Sequence, residues 1–155
     1  MIGCGSMGND NDNNTAVTTA HPNKANLCPG GGMAQLFADH GLHVACQDPS
    51  KENMEALMKS AKEEGLGDKI STYENYGALC GALDKPKVIF YSLPHGTVGD
   101  SVTEGLLPYL DKGDIIVDCA NEHWENTERR QGKTVTRGVR YVGCGVSGGY
   151  QAARR

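Results

Sequence analysis

The chain has no apolar run approaching the length of a membrane-spanning helix, no C-x-x-C pair and no strong excess of either charge. Each absence removes a class of function. Without about 20 consecutive apolar residues there is no candidate transmembrane helix. Met1-Ile2-Gly3 does not open a signal peptide, so the expected setting is the cytoplasm. A formal charge of -4, with basic residues scattered apart from Arg129-Arg130 and Arg154-Arg155, offers no footprint for nucleic acid or an anionic membrane. The six cysteines lack the spacing of a zinc or redox motif, and no metal is expected. Cys46, Cys119 and Cys144 lie in or at the ends of apolar strand-like runs and read as reduced, small buried hydrophobes.

What is abundant is glycine. Gly3-Cys4-Gly5-Ser6-Met7-Gly8 reads G-x-G-x-x-G, the turn that lets a backbone lie against a dinucleotide pyrophosphate. Gly3, Gly5, Ser6, Met7 and Gly8 are therefore the first candidate cofactor residues. Such a turn should feed a helix, whose N-terminal N–H groups hold phosphate. Here it is followed by Asn9-Asp10-Asn11-Asp12-Asn13-Asn14, and no helical pattern begins until about Gly32. Segment 9–30 is rich in Asn, Asp, Thr and Pro, has neither a helical nor a strand period, and reads as a disordered insertion. Removing it joins Gly8 to Gly31 and restores a fingerprint running into an amphipathic helix. Two readings account for this: a retained intron translated in frame, since codons at Gly8-Asn9 and Pro29-Gly30 can carry splice signals, or a genuine surface insertion. The first strand, with only Met1-Ile2 before Gly3, reads as cut short.

From Gly32 onward the pattern alternates. Helices are expected at Met33 to His40, at Lys51 to Glu64 behind a Ser50 cap, near Asn75 to Leu83, at Thr97 to Leu110 and at Glu122 to Gly132. Strands are expected at Leu42 to Cys46, Ile70 to Thr72, Lys87 to Leu93, Asp114 to Cys119 and Arg140 to Cys144. This alternation gives an α/β fold: a doubly wound, mostly parallel sheet with helices on both faces. Ligand chemistry should gather at the strand C-terminal ends. Those ends are Gly3 to Gly8, Asp48, Leu93 to Gly96, Cys119 to Asn121 and Gly145 to Gly149.

Several linked motifs then carry a resemblance. They are the glycine hexapeptide, Asp39-His40-Gly41, the run Pro108-Tyr109-Leu110-Asp111-Lys112-Gly113-Asp114-Ile115-Ile116-Val117-Asp118, Asn121 with Thr127-Glu128-Arg129-Arg130, and Gly143-Cys144-Gly145-Val146-Ser147-Gly148-Gly149. Together they resemble the N-terminal NAD(P)-binding domain of 6-phosphogluconate dehydrogenase, in the β-hydroxyacid dehydrogenase superfamily. The resemblance implies a Rossmann-like domain and an oxidoreductase of gluconate utilization and the pentose phosphate pathway. It implies oxidative decarboxylation of 6-phosphogluconate, a phosphorylated sugar acid, to ribulose 5-phosphate. NADP is the implied cofactor. Asn121 would contact both the nicotinamide ribose region and the sugar acid, while Ser147, Gly148 and Gly149 would bind its carboxylate end.

The sequence also departs from the family. Asp48-Pro49-Ser50 stands where the family usually has Asn-Arg-Thr, and an acid there suits the free ribose hydroxyls of NAD. Asp48, Ser50 and Lys51 are thus cofactor candidates that leave NAD open beside NADP. Leu93 and Pro94 replace part of a Val-Lys-Ala segment near the nicotinamide, with His95 reading as a solvated loop residue. The family's catalytic lysine and its helical dimerisation domain would follow Arg155, so no catalytic residue is assigned in 1–155 and the chain alone is expected to be inactive. The alternatives are a 3-hydroxyisobutyrate or other β-hydroxyacid dehydrogenase-like domain, and a nonenzymatic nucleotide-binding remnant.

Overall fold

The computed structural model describes residues 14–19 and 29–147. Six strands form one sheet: β1 (Asn14–Thr19), β2 (His43–Gln47), β3 (Ile70–Thr72), β4 (Val88–Ser92), β5 (Ile115–Asp118) and β6 (Arg140–Gly143). Between them run α1 (Pro29–Asp39), α2 (Lys51–Glu63), α3 (Tyr76–Gly81), α4 (Thr97–Leu106) and α5 (Trp124–Val135), with a 3-10 turn at Leu107–Tyr109. The strand order is β3-β2-β1-β4-β5-β6, and every neighbouring pair is parallel. This is the doubly wound α/β order, with its crevice where the winding reverses between β1 and β4.

The element endings follow local chemistry. Ser50 Oγ accepts from Asn53 N at 3.2 Å and caps α2, while Asn75 Oδ1 accepts from Ala78 N at 2.9 Å and caps α3. Gly65, at φ +73°, takes the left-handed turn that leaves α2. Two apolar clusters cover the sheet. One joins Leu79, Ile89, Tyr91, Leu106 and Ile116; the other joins Ala34, Ala38, Val44, Leu57 and Ile70. At the N-terminal ends of β4 and β5 the buried Lys87 ammonium lies 3.0 Å from both Asp111 and Asp114. Lys87 therefore stands just outside β4 rather than within the apolar strand expected to begin there.

The largest difference from the sequence expectation lies in β1. Segment 9–30 reads as structureless, yet Asn14–Thr19 pairs with β2 on one side and β4 on the other. Thr15, Val17, Thr18 and Thr19 are β-branched, and such residues favour an extended backbone. The Asn and Asp content around them hides that preference from a compositional reading. Pro29 and Gly30 also belong to a regular element, because α1 begins at Pro29. The disordered-insertion expectation is corrected for these residues. Consequently the chain order is hexapeptide, β1, α1, whereas a dinucleotide fingerprint needs strand, glycine turn, helix. Gly3, Gly5, Ser6, Met7 and Gly8 themselves lie outside the described residues, as do Gly148 and Gly149.

Ile116 is fully buried on β5, an inner strand between β4 and β6. Ile116→Ala should lower the unfolding free energy by about 2–5 kcal/mol, read from urea denaturation. A loss below about 0.5 kcal/mol would contradict a well-packed core at this strand.

Candidate functional site

The C-terminal ends of β4, β5 and β6 approach one another through polar groups rather than apolar packing. Asn121 follows β5 with φ +53°, the only described non-glycine residue in the left-handed region. Asn tolerates that conformation better than most residues, and such strain gathers at functional positions. Its Nδ2 donates to Val146 O at 2.7 Å, tying the loop after β5 to the loop after β6. A side chain at Gly145 would approach Asn121 Oδ1 at 3.3 Å, so the two loops sit close. Beside them opens a cleft of about 440 Å³ lined by Asp118, Asn121, Glu122, Trp124, Gly143 and Cys144, among others.

Behind the cleft lies Arg130, fully buried on α5. Its Nη1 lies 3.2 Å from Asp118 Oδ2 and 3.1 Å from Glu122 Oε2, and Nη2 lies 3.3 Å from Asp100 Oδ2. Nη2 also donates to Gly96 O at 2.5 Å. Gly96 N in turn donates to Glu122 Oε2 at 2.7 Å, so both backbone groups of the turn into α4 are held from the β5–α5 side. Gly96 itself has φ +99°, a turn conformation that glycine accepts without strain. Gly99 lets the guanidinium approach: a Cβ there would lie 2.6 Å from Arg130 Cζ. Arg129 adds a second cation, with Nη2 2.7 Å from Asp100 Oδ2.

A chain of hydroxyls completes the cluster. Tyr141 Oη donates to Asp118 Oδ2 at 2.5 Å, and Tyr91 Oη is hydrogen-bonded to Tyr141 Oη. Burial, reinforced by Asp118, pushes the Tyr91 hydroxyl up to about 12. Burial and the bonds to Asp118 and Tyr91 likewise raise Tyr141, so both remain protonated donors. Burial opposes ionisation of Glu122, but bonds from Asn126, the Gly96 and His123 N–H groups and Arg130 outweigh it and bring its carboxyl to about 2.

The structure brings some candidate residues to the strand ends. Asp48 follows β2, and its Oδ1 accepts from Ser50 N at 2.7 Å and Asn53 Nδ2 at 3.2 Å. Lys51 is exposed at the start of α2. Leu93 is buried and Pro94 half-buried just after β4, while His95 is exposed in the same loop. Ser147 is exposed beyond β6. The sequence reading missed Arg130, Asp118, Glu122 and Trp124 as a unit. A signal was available: α5 (WENTERRQGKTV) is a very polar helix in the position of one that must cover a sheet, and its buried residues are Arg130 and Thr134. Among the described residues no group of three or more His, Cys, Asp and Glu is placed to hold a metal ion. No described helix is long and apolar enough to cross a membrane.

Comparison with known proteins decides the family. The profile described as the NAD binding domain of 6-phosphogluconate dehydrogenase matches residues 29–155. The chain belongs to that family. A 6-phosphogluconate dehydrogenase of Emericella nidulans is 38% identical over 129 residues, covering 81% of this chain and 26% of the relative. An NAD(+)-dependent 6-phosphogluconate dehydrogenase of Bacillus subtilis is 33% identical over 120 residues, covering 77% and 25%. The Plasmodium falciparum enzyme, solved in its apo form and in complexes with NADP+ and with 6-phosphogluconate, superposes with a TM-score of 0.80 at 29% identity, covering 91% and 28%. The chain thus spans about a quarter of the length of the curated relatives it matches.

Two outcomes follow for this dehydrogenase-family domain. Arg130→Met leaves Asp118 and Glu122 buried without their cation and should cost about 3–5 kcal/mol, measured by chemical denaturation. Glu122 ionises at about 2 in the folded state against an ordinary 4.5. Its contribution is therefore complete above about pH 4.5 and lost as pH falls towards 2. Thermal melts across that window should show a shallower acid loss in Glu122→Gln than in the wild type.

Proposed function

We propose that this domain binds a nicotinamide dinucleotide and serves a 6-phosphogluconate dehydrogenase-type reaction, in which the cofactor takes a hydride from the sugar acid and the keto acid loses carbon dioxide. The observation that carries this reading is Asn121, held in a left-handed conformation after β5 and bonded to Val146 in the loop after β6, beside the cleft. That geometry supports its expected double contact, with the nicotinamide ribose on one side and the sugar acid on the other. Ser147, Gly148 and Gly149 would receive the carboxylate end, where consecutive backbone N–H groups suit an anion. Leu93 and Pro94 would border the nicotinamide. Arg130 and Glu122 would hold the loops in place without touching either ligand.

At the other end of the cofactor, Asp48 would face the adenosine ribose, with Ser50 and Lys51 beside it. The carboxylate is already oriented by Ser50 N and Asn53, which supports a fixed acceptor for ribose hydroxyls. NADP is the cofactor of the Plasmodium relative and NAD that of the Bacillus one. The acid at position 48 favours NAD over a 2′-phosphate. For the pyrophosphate, buried Gly30, Gly31 and Gly32 at the start of α1 would let a phosphate approach the N–H groups of a helix N-terminus.

The origin of segment 9–30 is a separate proposal. A retained intron is supported by the restored fingerprint and by a family match that begins at residue 29. A transcript read across Gly8 to Gly32 decides it, and genomic bases lacking GT and AG at those junctions would refute it.

Fluorescence titration of the chain with NADH and NADPH tests the dinucleotide reading. Saturable binding is expected, with Asp48→Ser shifting preference towards NADPH by about tenfold, or 1.4 kcal/mol. No saturable binding of either nucleotide would refute the dinucleotide reading.

A further inference from the structure

Cys119 and Cys144 stand next to each other where the sheet ends. Asp118 pairs with Gly143 in the β5–β6 ladder, and Cys144 N donates to Asp118 O at 2.7 Å, which makes the two cysteines the next residues in register. Adjacent strands lie about 4.8 Å apart, inside the span of Cα separations that a disulfide bridges. Cys144 stands near enough to Cys119 to help raise its thiol. Their exposures differ: Cys119 is buried, whereas Cys144 is exposed and lines the cleft, contrary to the expectation that both are buried hydrophobes. The other two described cysteines, Cys46 and Cys80, are buried in separate apolar clusters.

We propose that Cys119 and Cys144 form a peroxide-responsive disulfide site that ties the strand ends carrying Asn121 and the 145–147 loop. The exposed Cys144 thiolate attacks the O–O bond of a hydroperoxide. An S–O bond forms, the O–O bond breaks, water or an alcohol leaves, and the sulfur is oxidised to a sulfenic acid. Cys119 then attacks that sulfur. The S–S bond forms, the S–O bond breaks, and the departing hydroxide leaves as water with the Cys119 proton. The order is set by environment. Burial, with Cys144 and Asp118 alongside, pushes the Cys119 thiol up to about 12, so it is not the group that meets peroxide first. The product adds a covalent tie across the gap that Asn121 Nδ2 and Val146 O already bridge. It acts at the mouth of the cleft without requiring that the cleft bind dinucleotide.

The test uses the full chain, reduced, exposed to hydrogen peroxide, alkylated and digested with trypsin. Cleavage at lysine and arginine places Cys119 in peptide 113–129 and Cys144 in peptide 141–154. The expected product is these two peptides linked, two hydrogens lighter than their sum, in most of the protein and reversed by dithiothreitol. Cys144→Ser changes an exposed position and should fold as the wild type by circular dichroism while losing the link entirely. Cys119→Ser should leave Cys144 sulfenic acid open to capture by dimedone, at least tenfold above the wild type. Oxidation of wild-type Cys144 to sulfinic acid without the link would overturn the proposal. So would a disulfide to Cys4 or Cys28 in place of the 119–144 link.

Discussion

One buried cation organises the strand ends that carry the candidate site. Arg130 has no solvent exposure and faces three carboxylates from three places in the chain: Asp100 in α4, Asp118 at the end of β5 and Glu122 before α5. A guanidinium taken out of water is costly unless each charge around it is matched and hydrogen-bonded. Here that requirement fixes where three loops can lie. The backbone of Gly96 is held at both its N–H and its carbonyl, so the turn after β4 cannot drift from the turn after β5. Tyr141 extends the restraint to β6 through Asp118. The cleft inherits its shape from a charge balance behind it rather than from apolar packing.

This division of labour separates the two halves of the molecule. The apolar clusters on the two faces of the sheet supply cohesion, and they are built from residues that any α/β domain could use. The polar cluster supplies position. It explains how Asn121 can hold φ +53° against its intrinsic preference: the chain before it is anchored through Asp118 and the chain after it through Glu122, so the strained residue has nowhere else to go.

Most of the fold was legible in the sequence because its elements are local. Ile70–Thr72 is a strand within its expected limits, and Ser50 caps α2 as read. The first strand was not legible. Asn14–Thr19 has a sequence whose surroundings signal disorder, yet β2 and β4 leave a place between them that some extended segment must occupy. That demand comes from the assembled sheet, and no window of neighbouring residues carries it. The site divides in the same way. Asn121 could be found by motif, but the partnership of residues 100, 118, 122 and 130 depends on distances between elements. Arg129-Arg130 belongs to the motif that carries the resemblance, but only packing tells that Arg129 is exposed while Arg130 is sealed.

Gly99 places a limit on how this family member can change over time. The space a Cβ would need is already filled by the Arg130 guanidinium, so no larger residue enters position 99 while an arginine occupies 130 in this pose. Conversely, a shorter residue at 130 removes the reason for glycine at 99 but strands the carboxylates. Neither position can be exchanged alone without loss. The two should therefore be inherited as a couple, and a lineage that abandons one would be expected to have rewritten the acidic residues as well.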